Sequence, residues 1–242
     1  MSSDMLPNEN TELMRLNKFL SDSGVCSRRE ADRLISEGLV VVDGKTAVMG
    51  EKIDVNAEVL VKGVPIKRET GKVIIAVNKP VGIECTTDKS NPDNIVDFVN
   101  YPQRIYPIGR LDKNSQGLIL MTNDGSIVNK ILKGSNYKEK EYIVTVDKPI
   151  TEEFVRKMES GVEILDTVTR PCKVTQTGKH TFNIILTQGL NRQIRRMCEK
   201  LGFRVQKLKR IRILNIELGN LKKGSYRELT KKEMDELNSL ID

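Results

Sequence analysis

The chain holds one histidine, His180, and four widely spaced cysteines, Cys26, Cys85, Cys172 and Cys198, so any acid-base or nucleophilic chemistry must rest on carboxylates, tyrosines, lysines or arginines. Clustered Cys/His ligands and C-x-x-C pairs do not occur in the pattern, and neither a metal site nor a disulfide framework is expected. The most informative stretch runs from Tyr106 to Gly125 and includes Gly109-Arg110-Leu111-Asp112-Lys113-Asn114-Ser115-Gln116-Gly117. It begins as a Pro/Gly-punctuated loop, sets Arg110 two residues before Asp112, and continues as an apolar strand from Leu118 to Thr122, closed by Asn123-Asp124-Gly125. Asp112 is therefore a carboxylate just outside a buried strand. Spacing alone leaves two readings open, a reactive carboxylate or a turn residue in a surface ion pair.

Charge distribution adds a second clue. The 242-residue chain has a net charge of +7, yet residues 1–72 are nearly balanced, with 11 Lys/Arg against 12 Asp/Glu. From Gln188 to Leu214 the basic residues are Arg192, Arg195, Arg196, Lys200, Arg204, Lys207, Lys209, Arg210 and Arg212, against Glu199 alone. A local excess of this kind suits phosphate contact better than a solvated helix face of mixed sign. No apolar run approaches the roughly 20 residues of a membrane span. The polar, acidic start lacks the pattern of a signal peptide, so a cytoplasmic protein without membrane contact is expected.

The elements that must position these groups follow from periodicity. Leu13, Leu16, Phe19 and Leu20 recur at helical spacing before Gly24, and Ser27-Arg28-Arg29-Glu30 reads as a capping box ahead of Ala31, Leu34 and Ile35. Strands are expected at Leu39–Val42, Val59–Val61, Val73–Val77, Glu141–Val146, Cys172–Val174, Thr181–Leu186 and Ile211–Ile216, with helices at Ile95–Val99 and Ser126–Leu132 and from Thr151 and Thr230. Alternation places Tyr142, Val144 and Val146 on one face, half-burying the tyrosine. With Asn191 as N-cap, Ile194, Met197, Cys198 and Leu201 form the apolar stripe of a helix that stops at Gly202. Arg195 then lies just off that stripe, while Arg192 and Arg196 point further away. A strand through Arg210-Ile211-Arg212-Ile213 would place both guanidinium groups on one face.

The motifs Met14–Leu20, Ser27–Ala31 and Val41–Lys45 resemble those of the S4 RNA-binding domain. With Asn78-Lys79-Pro80-Val81-Gly82, Gly109-Arg110-Leu111-Asp112, Gly117–Thr122, Lys140-Glu141-Tyr142 and Gly189–Met197 following in order, the chain is similar to the RsuA/RluB/RluE/RluF family of ribosomal RNA pseudouridine synthases. Ile105–Leu120 and Leu186–Met197 are most similar in wording to its RluF branch. The resemblance implies an α+β fold, with a small N-terminal S4-like RNA-binding domain and a larger catalytic domain built on a mainly antiparallel mixed sheet flanked by helices. Its boundaries are expected as a flexible start over 1–12, the S4-like unit over 13–62, a linker over 63–72 and the catalytic domain over 73–242.

By the same resemblance, Asp112 is the nucleophile, acting either at the ribose C1′ or by removing the C2′ proton. Tyr142 stacks on the target base and is a candidate for proton transfer at C5, and Arg195 pairs with Asp112. The candidate RNA contacts, read with charge and position, are Arg28, Arg29, Lys79, Arg110, Arg192, Arg196, Lys207, Lys209, Arg210 and Arg212, and Leu118 and Ile194 are candidates either for walls of the base pocket or for ordinary core packing. No cofactor is implied. The expected partner is large-subunit rRNA, with tRNA as a further candidate, and the expected state is a monomer. The competing reading is a non-catalytic S4-type ribosome-binding or assembly factor.

Overall fold

The computed structural model describes residues 13–67, 71–132 and 137–241. The flexible start expected at 1–12 lies outside them, as do 68–70 of the expected linker and 133–136 of the loop before the Lys140 strand. The chain divides into two compact units, Met1–Gly71 and Lys72–Asp242.

In the first unit, two helices, Leu16–Asp22 and Arg28–Ser36, pack Leu16, Phe19, Leu20, Ala31, Leu34 and Ile35 against Val40, Val42, Ile53 and Val59. Leu13, expected on the first helix, instead lies in a short strand, Leu13–Arg15, paired antiparallel with Lys52–Asp54. Its side chain is exposed, so the apolar stripe of the helix begins at Leu16. A small sheet places Lys45–Thr46, Val40–Val42, Val59–Val61 and Val64–Pro65 side by side. The last of these strands falls inside the stretch expected as linker. At the start of the second helix the Glu30 N–H donates to Ser27 Oγ at 3.2 Å. The return half of the capping box is replaced, because Arg33 takes the Glu30 carboxylate. Arg28 and Arg29 are exposed on the first turn of this helix.

The second unit is built on a nine-stranded sheet. Its main path runs Lys173–Gly178, Thr181–Leu186, Lys140–Val146, Val205–Ile213, Gln116–Thr122, Ile74–Lys79 and Tyr226–Glu228. Every pairing is antiparallel except that of the Val205 and Gln116 strands, where Lys209 faces Gln116 and Arg210 faces Gly117. The Gln116 strand is covered on both faces, which explains its unbroken apolar run. Leu118 and Leu120 pack with Ile108, Ile127, Ile131 and Leu237, while Ile119 and Met121 join the core containing Ile75, Val77, Val144 and Phe182. The strand expected over Ile211–Ile216 starts earlier, at Val205, and breaks at Leu214, whose φ of +52° turns the chain into a separate short strand, Ile216–Glu217.

Gly117 sits where the parallel pair is tightest. Its φ is +105°, and a Cβ there would lie 2.2 Å from the Arg210 carbonyl oxygen. The atoms it would meet belong to strand backbone and cannot step aside. At Gly178, by contrast, a Cβ would meet only an ordinary contact at 3.8 Å. Gly117→Ala is expected to destabilise the full chain by about 3 kcal/mol or more, and Gly178→Ala by less than about 1 kcal/mol, in urea unfolding followed by circular dichroism.

Candidate active site

Asp112 lies on the loop that feeds the Gln116 strand, and local hydrogen bonds shape that loop. The Ser115 N–H donates to the Asp112 carbonyl at 2.9 Å, the Gly82 N–H to the Lys113 carbonyl at 2.9 Å, and the Leu111 N–H to Cys85 Sγ at 3.3 Å. Lys79 supports the Gly82 side of this arrangement. Expected among the RNA contacts, it is instead fully buried, its ammonium donating to the Pro80 and Ile83 carbonyls at 2.9 and 2.6 Å. Burial lowers its pKa from the ordinary lysine value, and the negative ends of Cys85 and Asp112 oppose the shift. Lys79 thus fixes the turn that carries Gly82, and Gly82 fixes the loop that carries Asp112.

Arg195 reaches this loop from the helix Gln193–Lys200. Its Nη2 donates to the Asn114 carbonyl at 2.9 Å and to Ser115 Oγ at 3.1 Å, and its Nε lies 3.7 Å from Asp112 Oδ2. That Nε is buried without a hydrogen-bond partner among the described residues. Burial, reinforced by the charge of Arg192, lowers the Arg195 pKa, and Asp112 opposes it. At this distance the contact is a charged approach rather than a closed hydrogen bond.

Arg192 also lies 3.7 Å from Asp112 Oδ2, a contact that helical periodicity does not reveal. The reason is local. Asn191, expected as N-cap, precedes the cap; Arg192 takes that position at φ +50°, a left-handed conformation that swings its side chain off the helical path. Arg196 is tied back to Asn191, with Nε to the carbonyl at 3.1 Å and Nη2 to Oδ1 at 3.2 Å.

Tyr142 follows a register shift between Glu141 and Tyr142 on the side facing the Val205 strand, a bulge of the kind that re-aims a side chain. It is 9% exposed and faces Arg210 across the ladder, the Arg210 guanidinium carbon 6.0 Å from its ring centroid. Asp112, Tyr142, Arg192 and Arg195 all line one cleft of about 820 Å³, with Arg110 also at its wall. That volume is within the range of small-ligand pockets. Leu111, Leu190, Ile194 and Leu208 provide apolar lining.

Other expected site residues are placed differently. Leu118 is fully buried in the core and does not line the cleft, whereas its same-face neighbour Leu120 does. Arg210 and Arg212 do not form a shared RNA-facing pair. Arg210 is 3% exposed, its Nε donating to the Leu118 carbonyl at 2.7 Å. Arg212 is taken by Glu139 and Glu141 at 2.9 and 3.0 Å. Lys207 is exposed and Lys209 half-buried.

Comparison with known proteins assigns the chain to a family. A family model described as RNA pseudouridylate synthase matches residues 73–200, and an S4 domain model matches residues 14–59. The chain belongs to the RNA pseudouridylate synthase family. It is 54% identical to the dual-specificity RNA pseudouridine synthase RluF of Escherichia coli strain K12, over 98% of this chain and 82% of that protein. It is 39% identical to ribosomal large subunit pseudouridine synthase B of Bacillus subtilis, over 94% of this chain and 97% of that one. A crystal structure of a pseudouridylate synthase superposes with a TM-score of 0.68 at 28% identity, covering 93% of this chain and 99% of that chain. The protein is a pseudouridine synthase with an N-terminal S4 domain.

One side chain of the synthase's cleft carries a measurable signature. Lys140 lines it without a carboxylate partner among the described residues, and burial, followed by the charge of Arg210, pushes its pKa down to about 8. The unfolded chain keeps that proton up to about 10.5, so between these values it binds more protons than the folded one, and stability rises with pH across the window. Below about 8 the folded protein bears the cost of the buried charge. Lys140→Met should therefore be more stable than wild type at neutral pH, with the difference narrowing as pH rises through the window, in urea unfolding at a series of pH values.

Proposed function

We propose that the synthase converts a uridine of large-subunit ribosomal RNA to pseudouridine in the peptidyl-transferase region, and accepts a tRNA uridine as a second substrate. The observation that carries this reading is the placement of Asp112 beside Arg195 and Arg192 in the same cleft as Tyr142. The names of the relatives, one a dual-specificity RNA enzyme and the other a large-subunit enzyme, support the choice of substrates.

The target nucleotide leaves its stack and enters the cleft, its unstacking offset by a tyrosine face worth about 1–3 kcal/mol for a stacked base. Asp112 is the reacting carboxylate, either attacking C1′ or taking the C2′ proton. A guanidinium beside a carboxylate in a water-poor pocket favours its charged form and fixes its direction, the role given to Arg195 with Arg192. The C1′–N1 bond breaks with its electron pair on the base, the base turns, and C5 bonds to C1′. C5 then loses its proton, to which Tyr142 is the nearest candidate in the motif, and N1 regains one. The isomerisation is redox-neutral and calls for no cofactor.

Arg110, exposed at the cleft wall, is suited to the backbone of the flipped nucleotide, and Arg28 and Arg29 to RNA at the S4 helix N-terminus. Among the described residues no helix is long and apolar enough to cross a membrane, and we place the enzyme with its RNA in the cytoplasm. Pseudouridine maps of rRNA and tRNA from cells with and without the gene test the reading. Loss of a large-subunit rRNA site, together with a tRNA site, is expected; identical maps would contradict it.

A further inference from the structure

Among the cleft's cations that do not approach Asp112, two flank Tyr142 on paired strands, Arg210 and Lys140. Arg210 is buried, its Nε engaged by the Leu118 carbonyl, and its Nη2 is buried with no hydrogen-bond partner among the described residues. Arg210 lines the cleft, its guanidinium carbon 6.0 Å from the Tyr142 ring centroid. Lys140 lines the same cleft two residues before Tyr142, on the strand paired with that of Arg210. Its hydrogen bond among the described residues is a long one, 3.4 Å to the Lys138 carbonyl. Nearby carboxylates are committed elsewhere: Glu139 and Glu141 to Arg212, and Asp112 to Arg192 and Arg195. Two like-charged groups, one buried and one half-buried, without a counter-ion destabilise a fold. They make physical sense if an anion arrives during the reaction.

The isomerisation supplies one. When C1′–N1 breaks with its electrons on nitrogen, the base is released as uracilate, its negative charge shared among N1, O2 and O4. This holds whether Asp112 attacks C1′ or removes the C2′ proton. We propose that Lys140 and Arg210 are catalytic residues that stabilise the departing uracilate by donating to its exocyclic oxygens. The inference rests on the reaction proposed above and adds the group that accepts its developing charge. Preformed donors in a water-poor site act more strongly on charge that appears in the transition state than on the neutral base. A uracil oxygen suits these donors better than a backbone phosphate because Arg210 is deeply buried beside the ring expected to stack on the base.

Leaving-group acidity separates the possibilities. Single-turnover conversion, read as loss of the starting nucleotide through C1′–N1 cleavage because 5-fluorouridine has no C5 proton to release, and RNA affinity are measured with the full chain on an rRNA fragment carrying the target as uridine or as 5-fluorouridine, whose base departs as a more stable anion. Lys140→Met is the primary variant, because removing a half-buried charge without a carboxylate partner among the described residues keeps the fold. It is expected to slow uridine conversion by about 100-fold and 5-fluorouridine conversion by less than about tenfold, with RNA affinity unchanged. Lys140→Arg, which keeps the charge, should recover most of the lost rate. Arg210→Lys should show the same substrate-dependent pattern if urea unfolding confirms that it folds. Equal losses on both RNAs with weaker, salt-sensitive binding would assign the cations to a phosphate and overturn the proposal, as would a wild-type rate in Lys140→Met. Failure of the wild-type protein to convert either RNA would overturn the underlying reaction as well.

Discussion

The reacting end of the cleft depends on one guanidinium. Arg195 donates to Asn114 and Ser115 on the loop of Asp112, approaches the Asp112 carboxylate with Nε, and touches the Val205 carbonyl with Nη1. It therefore joins a helix, the Asp112 loop and the start of a central strand. A lysine could supply the charge but not the planar fork needed to hold these partners at once. From the other side the loop is held by the turn that Lys79 organises through Gly82. Asp112 is thus constrained from two directions while remaining 35% exposed, a setting for a carboxylate that must meet a substrate.

The sheet sets the rest of the distances. Its parallel pair brings Arg210 against Gly117, so the strand after Asp112 and the strand bearing Arg210 approach as closely as backbone permits. On the other edge of the Val205 strand, the bulge before Tyr142 places the ring opposite Arg210. A helix-borne arginine, a loop carboxylate and a strand tyrosine reach one cleft because three adjacent strands share a layer. The charge this takes from solvent, fully at Lys79 and Arg210 and partly at Lys140, is a cost to stability that the apolar packing on both faces of the sheet offsets.

Much of this was legible in the residues. Alternation placed Tyr142, Val144 and Val146 inward, and the apolar stripe from Ile194 to Leu201 placed Arg195 at a core boundary; both follow from the period of the element. The meeting of Asp112, Arg195 and Tyr142 followed from ordered motifs rather than from periodicity, since long-range pairing leaves no local trace. What stayed hidden depends on backbone irregularity or tertiary burial. Arg192 reaches Asp112 only because its φ is positive, and Leu13 forms strand because the Lys52 strand offers hydrogen bonds that outweigh helical spacing. Lys79 and Arg210 read as surface cations because their residue type rarely lies inside, and only the carbonyls of the folded chain explain their burial.

In the proposed reaction the Asp112 carboxylate performs the chemistry in a site whose RNA binding it does not supply. Single-turnover tritium release from 5-tritiated uridine in rRNA, measured for wild type and Asp112→Asn beside the RNA affinity of each, tests this most directly. The asparagine variant is expected to bind RNA as tightly as wild type and to release no tritium above background. Release at the wild-type rate would contradict the assignment, and loss of binding together with activity would place Asp112 in the structure of the loop instead of in the reaction.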